Sequence, residues 1–311
     1  MILVVTPNPS LDRTLVLPAF EEGGVLRTTQ VMQTAGGKGI NLAYAARSLG
    51  VEVINAGLQG GRTGDLIMRW MAEDGFAAHW TVVESFETRC TTAIVNRERG
   101  IVTIINEQGY PITTPDWERF AGDILTAAAD TRIVAMCGSL PPGCPLPGYQ
   151  ALLRELIARG KAVWVDAAWG FLKAAIETPG VHIKVNGEEI GEILGMKVAT
   201  IADATDAARR FARGRGVPCV VTLGADGAVY SDADHVWHAQ PPTIEVMSAV
   251  GSGDSFLAGL LVGLDAGDAP PDALRRAVAA GAANALSIPA GRFTHEEYLL
   301  MLAGSDARLL D

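Results

Sequence analysis

Cysteine is scarce in this chain of 311 residues: Cys90, Cys137, Cys144 and Cys219 are the whole supply. None is spaced Cys-x-x-Cys, and none has a histidine at zinc-finger distance, so a disulfide framework and a thiol metal site are both excluded. A reduced, cytoplasmic setting is the expectation. Basic residues are also short, with 25 Lys and Arg against 35 Asp and Glu and a net charge of −10. A nucleic-acid binder carries the opposite excess, so no nucleic-acid partner is expected. No apolar run reaches ~20 residues, because Gly, Asp or Ser interrupts each one, and no membrane span is expected. The opening ten residues lack a charged n-region, and their apolar run is too short for a secretory leader. The five histidines, His79, His182, His235, His238 and His295, have no ligand spacing and read as packed or exposed side chains. There is no internal repeat and no low-complexity tract.

What the chain does have is apolar core. Hydrophobic residues make up 49% and charged residues 19%, a globular composition. At this length about 75% of the unfolded surface can be buried without staples. Residues 1–6 read as a buried strand stopped by Pro7 and Pro9. Two β-like stretches follow, 14–17 and 27–33. Helical patterns are expected over 40–49 and 64–74, with strands over 51–58 and near Thr81. From Thr114 onward the pattern alternates. Helices at 115–129, 147–159, 171–176, 186–194 and 201–213 separate strands at 133–137, 162–166, 181–184 and 218–223. Such alternation predicts a mostly parallel sheet covered on both faces. Residues 88–106 break the rhythm: two apolar, β-branched runs flank a Gly-containing turn and predict a hairpin. With residues 12–33 it would form a small separate sheet.

Four loops carry chemistry. Ala249-Val-Gly-Ser-Gly-Asp-Ser-Phe256 opens an apolar helix. Its free N–H groups at Gly251, Ser252 and Gly253, with the positive end of the helix dipole, would make an anion site. Asp254 sits at that anion's edge, where a carboxylate could take a proton from an attacking hydroxyl; ordinary helix capping is the plainer alternative. Thr34-Ala-Gly-Gly-Lys-Gly-Ile-Asn41 embeds a lysine among glycines at a helix start. Gly39 stands where a Walker A loop needs Ser or Thr, and Leu42 where a dinucleotide fingerprint needs Gly or Ala. Taken alone, a helix-capping loop with a solvated lysine explains it better. Thr222-Leu-Gly-Ala-Asp-Gly-Ala-Val229 ends a buried strand and could be a hairpin turn. Lys184-Val-Asn-Gly-Glu-Glu189 places Asn186 and Glu189 on one helical face, where they could hold hydrated Mg²⁺ or simply form a capping box.

In this order and at these separations, the four loops resemble the ribokinase-like, or PfkB, carbohydrate kinases over nearly the whole chain. The segments Thr6-Pro-Asn-Pro-Ser-Leu-Asp12, Ile105-Asn-Glu-Gln-Gly109 and Cys137-Gly-Ser-Leu-Pro-Pro-Gly143 are similar to the phosphosugar branch. Two departures stand out: Lys184-Val185-Asn186, where the branch has Lys-Pro-Asn, and Asp166-Ala-Ala-Trp-Gly170. The resemblance implies an α/β fold, a ribokinase-like three-layer αβα domain with a mostly parallel sheet and a small β lid. Residues 1–11, 34–87 and 109–311 would form the core, and 12–33 with 88–108 the lid. It implies ATP and Mg²⁺, with Asp254 as base and Gly251, Ser252 and Gly253 stabilising the transferring group. Asp12, Gly36, Gly37 and Asn41 would hold the sugar. Lys38 and Arg89, helped by Ser139 and Arg27, would clamp its phosphate at the end of the pocket away from Asp254. Lys184, Asn186, Thr222, Gly224, Gly227, Gly251, Gly253 and Asn284 would bind ATP, with Asn186 and Glu189 at the metal. The implied acceptor is a ketohexose phosphate, fructose 1-phosphate first, then tagatose 6-phosphate or fructose 6-phosphate. A homodimer through the lid is expected. The alternatives are a kinase for an uncharged acceptor and a non-catalytic sugar-phosphate sensor.

Overall fold

The computed structural model describes residues 1–167 and 169–310. Strands β1 (Ile2–Thr6), β2 (Ser10–Leu17) and β3 (Gln30–Gly36) lead to helix α1 (Lys38–Ser48). Then come β4 (Ile54–Gln59), α2 (Gly61–Glu73), β5 (Ala77–Val82), β6 (Arg89–Asn96) and β7 (Ile101–Asn106). Next are α3 (Thr114–Ala127), β8 (Ile133–Gly138), α4 (Leu146–Ala158), β9 (Ala162–Ala167) and α5 (Trp169–Ile176). They are followed by β10 (His182–Asn186), α6 (Gly187–Leu194), α7 (Ile201–Arg215), β11 (Cys219–Thr222), β12 (Ala228–Ser231) and β13 (Val236–Gln240). The chain closes with α8 (Ser252–Ala266), α9 (Pro270–Ala285), α10 (His295–Gly304) and β14 (Asp306–Leu309).

The large sheet runs β14-β13-β12-β11-β10-β9-β8-β1-β4-β5. From β5 to β11 every neighbour is parallel, while β12, β13 and β14 are antiparallel additions. Alternation within β1 divides the core. Leu3 and Val5 face a cluster with Phe120, Leu153 and Phe211 of α3, α4 and α7. Ile2 and Val4 face the opposite cluster, with Leu42, Leu257 and Ala277 of α1, α8 and α9. Both faces are therefore covered, which is why the parallel strands read as unbroken apolar runs. This is the three-layer α/β architecture. Trp117 and Trp164 are buried packing residues.

The antiparallel strands were not foreseen. Each has only four or five residues, and β14 pairs with β13 across more than 60 positions of chain. Helix α2 begins at Gly61 and not near Gly64 because its cap comes from a distance. Gly60 has no side chain to offer, and the Glu87 carboxylate accepts from Thr63 N at 2.8 Å.

A separate sheet runs β3-β2-β6-β7. Asp12, Thr91 and Asn106 occupy one row of it, and Arg13, Thr92 and Ile105 the next, so these sets face opposite ways. Leu11 at its base packs with Ile40, Tyr44, Ile67 and Met71 of α1 and α2, which anchors the sheet to the core. Further out, the second face is apolar and half open: Val31, Ile101 and Ile105 are exposed.

Strand order also locates the site. From β1 the chain steps outward to β4 and β5, then returns to β8 on the other side. That reversal opens a crevice beyond the carboxyl ends of β1 and β8, where open α/β sheets take their ligands.

Candidate active site

A cavity of about 730 Å³ occupies this crevice, roofed by the first face of the small sheet. Asp12, Gly37, Lys38, Asn41, Arg89, Ser139, Gly251 and Asp254, predicted from loops spread over more than 240 residues, all line it. A second cavity of about 330 Å³ lies beyond Ser252 and Gly253 and is lined by Thr222, Gly224 and Gly227. Ile244, Val246, Phe256 and Val278 give it an apolar wall of the kind a flat base needs. The two cavities meet at the start of α8.

That helix start is built for an anion. Gly251 is its N-cap at φ 82°, in the left-handed region, and a β-carbon there would stand 2.5 Å from the Ala290 Cβ. Only glycine fits both constraints. No side chain caps the helix; the Ser252 N–H, expected to be free, donates to Ala249 O at 3.2 Å because the loop turns tightly before Gly251. Lys184 Nζ lies 2.9 Å from where a β-carbon on Gly253 would be, which sets a cation against the same loop.

Asp254 is buried, and its Oδ2 accepts from Asn41 Nδ2 at 2.9 Å. Burial, then the nearby Asp166 charge, pushes its carboxyl up to about 6, while Lys38, Asn41 and Lys184 pull the other way. A carboxylate poised close to neutrality suits a general base.

Asp166 is the residue the sequence reading missed. It lies one residue from the end of β9 with 1% exposure, and its two oxygens take Lys38 Nζ at 2.5 Å and Lys184 Nζ at 2.7 Å. Burial opposes its charge, but Lys184 and Lys38 outweigh burial and hold its carboxyl below the usual range. Burial likewise opposes the Lys38 ammonium, yet Asp166 and Asp254 hold its pKa above the ordinary lysine value. A lone charged residue closing the buried run Val163-Trp-Val-Asp166 was the available signal. Ala168, part of the same departure from the branch pattern, lies outside the described residues.

Lys38 thus lies on the Asp254 side of the cavity, and the expectation that it sits at the far end with Arg89 is corrected. The physical reason is Asp166: a buried carboxylate draws the nearest ammonium groups to itself. Arg89 stands elsewhere, donating to Asn8 O at 3.2 Å, Thr91 Oγ1 at 3.3 Å and Glu107 O at 3.2 Å. Asn8, also missed, donates to Ser139 Oγ at 3.0 Å and joins the Arg89 and Ser139 walls. Asp12 accepts from Ser10 Oγ at 2.5 Å. Burial raises its carboxyl pKa, against Ser10, Arg89 and Arg292.

Three further expectations meet a different geometry. Gly36 does not line the cavity; a β-carbon there would fall 2.1 Å from the Asp12 carboxylate, so its bareness makes room for Asp12. Arg27 is exposed in the segment between β2 and β3 and lines neither cavity. Asn284 is fully buried and is spent on neighbouring loops, not turned toward the nucleotide-sized cavity. Asn186 and Glu189 form a reciprocal capping box, Asn186 N donating to Glu189 Oε2 and Glu189 N to Asn186 Oδ1, both at 2.8 Å.

A sequence profile of the pfkB family carbohydrate kinases matches residues 6–294. The chain belongs to the pfkB family of carbohydrate kinases. It is similar to the 1-phosphofructokinase of Escherichia coli (strain K12), at 31% identity over 282 residues, 90% of this chain and 89% of that one. It is similar to the 1-phosphofructokinase of Haloferax volcanii at 34% identity over 280 residues, 89% of this chain and 88% of that one. Phosphofructokinase-2 from Escherichia coli, solved in complex with substrates and products, superimposes with a TM-score of 0.91 at 25% identity, covering 97% of this chain and 98% of that one. This pfkB kinase is therefore an ATP-dependent sugar kinase of ribokinase-like fold, and its similarity lies with the phosphosugar branch. No helix among the described residues is long and apolar enough to cross a membrane.

Proposed function

We propose that this kinase transfers the γ-phosphoryl group of ATP to a hydroxyl of a ketohexose phosphate, fructose 1-phosphate before tagatose 6-phosphate or fructose 6-phosphate. The observation that carries the reading is the position of Asp254, a buried carboxylate at a bare helix start, between a polar cavity and an apolar one. The acceptor occupies the larger cavity and ATP the smaller. Asp254 takes the hydroxyl proton as the oxygen attacks the γ-phosphorus, and the bond from that phosphorus to the β-phosphate oxygen breaks, releasing ADP. Such transfer needs positioning and charge neutralisation more than covalent chemistry. The N–H groups of Gly251, Ser252 and Gly253 and the ammonium groups of Lys38 and Lys184 supply both. Asp12 and Asn41 hold sugar hydroxyls. Arg89 and Ser139 take the phosphate the acceptor already carries, since a guanidinium suits that dianion.

The donor set fits a Mg²⁺ brought in with ATP. Among the described residues no three His, Cys, Asp or Glu side chains form a cage. Glu189, with Asn186, stands at the carboxyl end of β10, as suits an ion held mostly by phosphate oxygens and water. When bound, it would neutralise phosphate charge. The small sheet acts as a lid that keeps competing water out. Its open apolar face supports a homodimer through the lid, because an exposed edge of this kind seeks a partner. The four cysteines are free among the described residues, in keeping with a cytoplasmic enzyme.

Asp254→Asn tests the assignment. ADP formation in the presence of sugar phosphate should fall ~10²–10⁴-fold, with ATP binding by calorimetry nearly unchanged. Near-wild-type turnover would remove Asp254 from the mechanism. If the wild-type chain makes no ADP with or without sugar phosphate, the sensor reading is the better one.

A further inference from the structure

Asn284 is a polar side chain sealed from solvent in the last turn of the Ala-rich helix α9, at 0% exposure. A buried amide is costly unless its donors and acceptors are met. Here its donors and its acceptor are all engaged, and the partners lie in the loop before α8, the first turn of α8 and the segment at Gly291, around the anion site. Nδ2 donates to Val250 O at 2.9 Å and to Ser252 Oγ at 3.1 Å. Oδ1 accepts from Gly291 N at 2.7 Å and from Ser255 Oγ at 3.2 Å. Two N–H donors and two lone pairs are the full capacity of the group. Nothing remains to bind a nucleotide, and Asn284 lines neither cavity.

The partners show what the amide holds. Val250, Ser252 and Ser255 flank Gly251 and Asp254. Gly291 lies in a different segment, and a β-carbon on it would stand 2.2 Å from Asn41 O, so the Gly291 backbone rests directly on the Asn41 backbone. Asn41 in turn donates to Asp254. One side chain therefore ties the loop that carries the transfer N–H groups to the segment that seats the Asn41 and Asp254 pair.

We propose that Asn284 is a positioning residue for phosphoryl transfer: it holds the Val250–Asp254 loop and the Gly291 segment in the relative placement that aligns the anion-binding N–H groups with Asp254. The proposal rests on the reading of that loop as the transfer site. A contact acting only through geometry should appear in kcat, since misplacement by about 1 Å can cost ~10²-fold, while the cavity walls that set ligand affinity stay as they are.

The test compares Asn284→Ala, Ser252→Ala and the double variant with the wild type, using steady-state kinetics and calorimetric binding of ADP. Asn284→Ala should lower kcat by 10- to 100-fold, with the ADP dissociation constant within about threefold of wild type. The double variant should lose little more than Asn284→Ala alone, because residues acting as one unit are not additive. An ADP affinity loss of tenfold or more with kcat preserved would make Asn284 a nucleotide ligand and overturn the proposal, as would losses that multiply in the double variant. If Asn284→Ala does not fold, Ser255→Ala serves instead. It removes one bond to the same amide and touches neither cavity, so it should lower kcat two- to tenfold at constant ADP affinity; unchanged kcat would overturn the proposal. Failure of the transfer-site reading itself would show separately, as retained turnover in Asp254→Asn.

Discussion

As the proposed base, Asp254 would work only when ionised, and its surroundings make ionisation hard. Burial and the neighbouring Asp166 charge raise its carboxyl from 3.8 to about 6. The proposed base therefore titrates near neutrality, and kcat/KM should fall about tenfold per pH unit below ~6. A pH–rate profile flat down to pH 5 would contradict this. The same shift bears on stability. A carboxyl raised in the folded chain favours folding below the unfolded value and loses that contribution as pH rises through about 6. At pH 8 the ionised Asp254 is a liability, and Asp254→Asn should be more stable than the wild type by up to about 3 kcal/mol, as active-site trade-offs lead one to expect. Asp254 was legible in the sequence because glycines and a helix start surround it. Asp166 was not, because a carboxylate closing a buried strand has many ordinary explanations. Only the folded chain brings Lys38 and Lys184, 146 positions apart, onto its two oxygens.

At the scale of elements, the start of α6 has two possible uses. Its reciprocal capping box satisfies two helix-terminal N–H groups and needs no metal. We propose both roles: Asn186 Oδ1 and Glu189 Oε2 cap, and the second Glu189 oxygen is left for hydrated Mg²⁺. Asn186→Ala should then cost about 1 kcal/mol of stability and also raise the Mg²⁺ concentration needed for half-maximal rate. A stability loss with unchanged Mg²⁺ dependence would leave only the cap. Capping of this kind is written in short spacing and could be read from Asn186 and Glu189 alone. The α2 start could not, because its acceptor, Glu87, lies 24 positions from Thr63. The antiparallel run β12-β13-β14 escaped for a similar reason: strands of four or five residues carry too little periodicity, and β14 finds its partner only after α8, α9 and α10 have folded between them.

At the scale of the whole molecule, the alternation of strands and helices was enough to foresee a covered parallel sheet, and a hairpin out of rhythm marked the second sheet. What the pattern could not place was the pairing of β2 with β6, a parallel contact between segments more than 70 positions apart. That contact sets the roof of the site and leaves Val31, Ile101 and Ile105 open to solvent. We expect these residues to meet a second copy. Sedimentation should give twice the chain mass of 32.7 kDa, and Ile105→Lys should shift it toward the monomer; a wild-type monomer at micromolar concentration would contradict the lid dimer. The net charge of −10 gives weight to the cations of this crevice, Lys38 and Lys184 on Asp166 and Arg89 apart from them on Asn8 and Glu107, since an acidic protein proposed to bind phosphates must gather its cations locally. The most direct test of the central claim is kcat/KM with ATP across a panel of fructose 1-phosphate, fructose 6-phosphate, tagatose 6-phosphate, fructose and ribose. Phosphate recognition by Arg89 and Ser139 predicts every phosphorylated ketohexose ahead of both free sugars by tenfold or more, and the likeness to the 1-phosphofructokinases puts fructose 1-phosphate first among them. A free sugar at the head of the panel would contradict the account.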